Sequence, residues 1–195
     1  MTAIAHRPRW LAGLNARNHR AALNVFLFIV LAHWAEHVVQ AFQIWVLGLP
    51  AAESRGVAGQ VFPWLVTSEA LHYGYAVIML AGFILLRPGF SGRSRTWWNI
   101  ALYIQVWHHF EHLLLLVQAH AGANLGGRPQ PTSVIQFLIP RVELHLFYNA
   151  VVFAPMVVAM LLHRRDAPGD SGASGDRDGS RACDCGRSRV LSGRA

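Results

Sequence analysis

Apolar residues fill four stretches of this chain, separated by short segments of Gly, Pro and Arg. The first covers 21–47 and is closed by Gly48 and Pro50. The second covers 61–86, with Pro63 in its first turn, and stops at Arg87-Pro88-Gly89. The third covers 96–118, and the fourth covers 141–162, ending at His163-Arg164-Arg165. About 20 helical residues, rising ~1.5 Å each, cross a hydrocarbon core of ~30 Å. Apolar residues occupy every side of these stretches instead of one stripe, so the pattern predicts membrane spans. A shorter apolar piece, 132–139, reads as an interfacial or re-entrant element. The first stretch is longer than the roughly 7–15-residue core of a signal peptide and carries His and Glu, so it reads as a retained span.

Composition sharpens that picture. Hydrophobic residues make up 53% of the 195 positions and charged residues only 14%, against about 25% in soluble domains. All 17 basic residues are Arg, a usage that points to GC-rich bacterial coding. The net charge of +7 raises nucleic acid as a partner, but the Arg residues sit at span ends and in the tail, so the bilayer is the expected partner. Arg7, Arg9, Arg17, Arg20, Arg87, Arg93, Arg95, Arg164 and Arg165 fall on one side, against Arg55, Arg128 and Arg141 on the other. The positive-inside rule then places both termini in the cytoplasm of a multi-pass plasma-membrane protein. The expected organisation is a basic arm (1–20), a four-helix membrane domain (21–165), and a disordered cytoplasmic tail (166–195) too poor in apolar residues to fold. Cys183 and Cys185, in that tail, read as incidental.

Two polar clusters interrupt the apolar runs with one spacing, His33-x-x-Glu36-His37 and His108-x-x-Glu111-His112. Aligned there, Asn24 falls on Asn99, Leu27 on Leu102 and Ile29 on Ile104. The following spans match as well, His72-x-x-Tyr75 on His145-x-x-Tyr148. Two parallel tandem two-helix repeats follow, 21–87 and 96–165, related by an axis along the membrane normal. Counted from the flanking Arg residues, the four His positions lie in one slab of the bundle.

Positions i, i+3 and i+4 of a helix are neighbours. The expected metal ligands are therefore His33, Glu36, His37, His72, His108, Glu111, His112 and His145. Glu69, Tyr75, Gln105, His109, Glu143, Tyr148 and Asn149 are expected to support them, with Glu143 pairing with Arg141 or His109. Buried acids cost several kcal/mol unless neutralised, which one or two transition ions would do. Imidazole with carboxylate suits iron, copper or zinc over magnesium or calcium. Haem fits less well, since paired His on one helix beside an acid exceed the need for axial ligation. The layout is similar in residue chemistry to the His boxes of membrane di-iron desaturases and hydroxylases. Those boxes run His-x-x-His-His or His-x-x-x-His, where this chain reads His-x-x-Glu-His.

The functional expectation is a di-metal oxidoreductase acting on a lipophilic or small-molecule substrate, with Glu36 or Glu111 moving protons where they do not ligate. A metal-ion or proton transporter, and a haem- or copper-binding electron-transfer or assembly subunit, are the alternatives. A redox partner or a second copy of the chain would accompany either.

Overall fold

A computed structural model describes residues 8–166, and all regular structure among them is helical. The helices are α1 (Arg9–Asn15), α2 (His19–Trp45), α3 (Ala58–Val61), α4 (Trp64–Thr67), α5 (Glu69–Leu86), α6 (Gly92–Ala121) and α7 (Arg141–Asp166). Four of them, α2, α5, α6 and α7, are long and apolar enough to cross a membrane. Short 3-10 turns stand at Arg87–Gly89, Leu125–Gly127 and Ile135–Phe137, the last within the apolar piece 132–139.

Several expected boundaries move. The second span begins at Glu69 instead of residue 61, because the chain breaks twice on the way in. Pro63 cannot continue α3, lacking the N–H that a helix interior needs, and instead opens α4. Ser68 then adopts an extended backbone and its Oγ accepts from Leu71 N–H, capping α5. The third span runs past both expected ends, until Gly122 takes a left-handed turn (φ 63°). At the C-terminus of the fourth span, α7 includes Asp166, while residues 1–7 and 167–195, with Cys183 and Cys185, lie outside the described residues.

The long helices form a ring in which α2 packs on α5, α5 on α6, α6 on α7, and α7 back on α2. At the near end α2 starts and α7 stops. Here Asn15 ties α1 to the end of α5, donating to Leu85 O (2.8 Å) and accepting from Gly89 N–H (3.0 Å). The far end carries the segments 46–68 and 122–140.

The near half of the ring is a close-packed apolar plug. Phe26, Phe83, Phe90, Trp98, Val152 and Met156 are buried together, and Trp98 Nε1–H finds Phe83 O at 2.8 Å. Phe26 lies directly over Gly82, where any Cβ would collide with its ring. Outside the ring, Val25, Phe28, Ile78, Ile84, Tyr103, Phe110, Phe147 and Leu161 stay exposed, the apolar flank expected of helices that face lipid.

Candidate metal centre

Above the plug, six imidazoles from all four long helices meet. At 100° per residue, i+4 falls 40° from i, so His33 and His37 of α2, and His108 and His112 of α6, form dyads whose rings meet edge-on. Their Nε2 atoms stand 3.1 Å apart in the first pair and 3.2 Å in the second. Ring centroids of His145 on α7 lie 4.8 Å from His37, 5.4 Å from His112 and 5.8 Å from His108. His72 on α5 lies 6.2 Å from His112 and 6.3 Å from His145. The dyads thus face each other along one diagonal of the ring, with the single imidazoles on the other.

Hydrogen bonds fix three of these rings. His37 Nδ1 is 2.7 Å from Gln40 Oε1, His145 Nδ1 is 2.7 Å from Arg141 O, and His72 Nδ1 is 3.1 Å from Ser68 O. Each partner is an acceptor, so each Nδ1 carries the proton and, in the neutral ring, each Nε2 is a bare lone pair. His145 Nε2 is buried with no partner. His108 Nδ1, His112 Nδ1 and Gln105 Nε2 are also buried without one. Buried polar groups are normally satisfied, so their number here marks the cluster as unusual, although both ring nitrogens of His19 at the near end also lack a partner.

The carboxylates behave differently from the expectation that grouped them with the imidazoles. Glu36 accepts from Val57 N–H (2.7 Å) and Ala58 N–H (3.1 Å) at the start of α3. Glu111 accepts from Ser133 Oγ–H and Ile135 N–H, both at 3.1 Å, at the Ile135–Phe137 turn. The i+3 position falls 60° to the other side of i, hence 100° from i+4. That angle aims each Glu at a far-end segment. Glu69 forms an ion pair with Arg141 (2.7 Å), replacing the expected pairing of Arg141 with Glu143.

Among the supporting residues, Tyr75 stacks on His33 (3.7 Å between centroids, 16° between planes) and donates to Ile29 O (3.2 Å). Tyr148 packs on His108 at 4.3 Å. Gln105 and Asn149 line the floor beneath with these tyrosines, and Asn149 also donates to His145 O (2.8 Å). His109 is turned toward Tyr73 (5.1 Å). Glu143 sits two residues from His145, on another side of α7.

A cavity of about 750 Å³ joins the cluster to the far end. His37, His72 and His145 line its base, the Glu69–Arg141 pair is in its wall, and Ser54, Arg55, Asn124 and Gln130 stand among its outer residues. Access to the imidazoles is therefore one-sided, because the apolar plug fills the ring below them.

Two residues that hold the far-end segments, Gln118 also lining this cavity, went unnoticed in the sequence. Gln43 accepts from Gly56 N–H (2.9 Å), and Gln118 accepts from Leu125 N–H (2.7 Å) and Thr132 N–H (3.2 Å). They stand two turns beyond Glu36 and Glu111, in the register that pairs His37 with His112. Extending the alignment past the His clusters would have found them.

Comparison with known protein families, characterised proteins and solved structures finds no match to this chain. Among the described residues, no three or more His, Cys, Asp or Glu side chains are already disposed around one ion. The dyads are nonetheless spaced for it. Two ligands with bonds of ~2.0–2.1 Å, subtending ~90–110° at a metal, sit roughly 2.9–3.4 Å apart, which brackets both Nε2 separations.

Proposed function

We propose that the chain is a membrane-embedded histidine metal protein. One or two iron, copper or zinc ions are held by His33, His37, His72, His108, His112 and His145. The observation that carries this reading is the six-imidazole convergence, three of whose rings have Nδ1 anchored on an acceptor oxygen, which leaves the lone pair on Nε2. Such anchoring of the remote nitrogen is the usual support of a ligating histidine. The same contacts recur in both halves, dyad for dyad, Tyr on His, and Glu and Gln on the following far-end segment. This supports two parallel tandem repeats, and the Arg distribution supports cytoplasmic termini.

With Glu36 and Glu111 engaged by loop N–H groups, the ligand set reduces to neutral imidazoles. That set favours copper most among the three metals, by the general order of divalent affinities. Bound there, the ion supplies a redox-active Lewis acid, and the activity we assign is an oxidoreductase. The polar lining of the cavity favours a small, water-borne substrate over a lipophilic one. Haem is disfavoured because the members of each dyad touch on one helix and cannot take opposite faces of a macrocycle. A transport path is disfavoured by Phe26, Phe83, Trp98 and Met156 below the site.

Elemental analysis of the detergent-purified protein tests the reading. At least one transition ion per chain is expected, without a Soret band, and a His37→Ala/His112→Ala variant should lose it. Equal metal content in both proteins would overturn the assignment. A liposome flux assay for metal ions and protons is expected to show no transport.

A further inference from the structure

At the near end, far from the imidazoles, α2 and α7 enclose a second cavity of about 190 Å³. Its lining is sorted by chemistry. Arg20 and Arg164 are exposed at its mouth with Asn24, while Leu23 and Met160 form a buried apolar floor (4% and 6% exposed). His163 completes the wall, and His19 is wedged behind it, 5.0 Å from His163 and 5.2 Å from Phe90. Gly89 makes room for that ring, since a Cβ there would strike it.

Among the described residues the mouth is a positive site without a balancing carboxylate. The ion pair formed among the described residues is Arg141–Glu69, so neither Arg20 nor Arg164 meets a described carboxylate. The first turn of the 27-residue α2 contains no acid and its cap makes no side-chain hydrogen bond. The C-terminal turn of α7 meets it at the same mouth with the opposite partial charge, so the positive charge there is that of the two guanidiniums. Such a site takes an anion with several acceptor oxygens, and paired guanidiniums suit phosphate. The volume is below the ~300 Å³ at which drug-sized pockets begin, and it matches a headgroup better than a nucleotide.

We propose that this groove binds the phosphate of an anionic phospholipid, with the start of an acyl chain over Leu23 and Met160. Free phosphate shares the headgroup chemistry but gains nothing from the apolar floor. Basic pockets between spans on the Arg-rich side of a membrane protein are placed to meet anionic lipid.

The detergent-purified full chain should be titrated with phosphatidylglycerol, phosphatidylcholine and inorganic phosphate, reading lipid adducts by native mass spectrometry and the shift in unfolding temperature. Phosphatidylglycerol is expected to bind and to raise the unfolding temperature. An Arg20→Gln/Arg164→Gln variant should bind it about tenfold or more weakly. Arg93→Gln/Arg95→Gln removes equal charge at the same end and should change binding less than threefold. Equal binding of phosphatidylcholine, or an equal loss in the Arg93/Arg95 variant, would overturn the site. Displacement of the lipid by an equal concentration of inorganic phosphate would reassign it to a soluble anion and sink the lipid proposal. The bound-metal content of each variant, expected to be unchanged, separates failure here from failure at the imidazoles.

Discussion

Gln40 does the most to set the chemistry of one imidazole. Its Oε1 accepts from His37 Nδ1, so His37 presents a lone pair at Nε2 and not a proton. Gln40→Leu removes that anchor while leaving all six imidazoles in place. Loss of such a partner typically weakens metal affinity by about 10–100-fold. A competition titration with a chromophoric chelator measures it, and unchanged affinity would mean the anchor is irrelevant to any ligand role of His37. Glu36 gives the opposite test. As an anchor of Val57 and Ala58 N–H it contributes about 1 kcal/mol, the scale of a helix cap. Glu36→Gln keeps an acceptor oxygen and should retain the metal with a small loss of thermal stability. Loss of the ion from that variant would return Glu36 to the ligand set.

Among the elements, the far-end segments are the least expected part of the fold and the most informative. Gly56 holds a left-handed backbone (φ 73°), and a Cβ there would run into the Glu36 carboxylate. Gly56→Ala combines backbone strain with displacement of that carboxylate, so a loss of roughly 1–3 kcal/mol is expected. Gly48 also has positive φ (68°) but faces open space, and Gly48→Ala should cost less. Thermal melts of the two variants side by side decide the point; equal losses would show that the Glu36 contact contributes nothing. The four long helices were legible in the sequence because continuous apolar runs leave few alternatives in lipid. The break before α5 was not, because Phe62, Trp64, Leu65 and Val66 are as apolar as a span. Only Pro63 and Ser68 mark the interruption. The imidazoles were legible for a related reason: polar side chains at i and i+4 inside apolar helices have one direction to face. The same rule grouped the Glu residues with the imidazoles, treating i+3 and i+4 as one face when they lie 100° apart, whereas Glu36 and Glu111 hydrogen-bond the far-end segments. What separates them is where the next loop's N–H groups lie, which spacing alone does not encode.

For the molecule as a whole, the arrangement is a cup: a solid apolar base at the near end, imidazoles at mid-depth, and a polar cavity opening at the far end. The Arg distribution underlies the orientation proposed for the cup. Arg17, Arg20, Arg87, Arg93, Arg95, Arg164 and Arg165 lie at the near end, whereas Arg55, Arg128 and Arg141 lie toward the far one, and Arg141 is held by Glu69. Retention of Arg on the cytoplasmic side, as proposed, would point the mouth outward. Ala52→Cys lies in the outer lining of the cavity, and Ser91→Cys in the near-end turn between α5 and α6. An impermeant maleimide added to intact cells should label the first and spare the second until the membrane is opened. The reverse pattern would place the imidazoles in contact with the cytoplasm and require the substrate to come from inside. A metal load that responds to an impermeant chelator outside intact cells would tie the same orientation to the site itself. The plug of Phe26, Phe83, Trp98 and Met156 leaves the far-end cavity as the route by which the proposed ion would exchange with water.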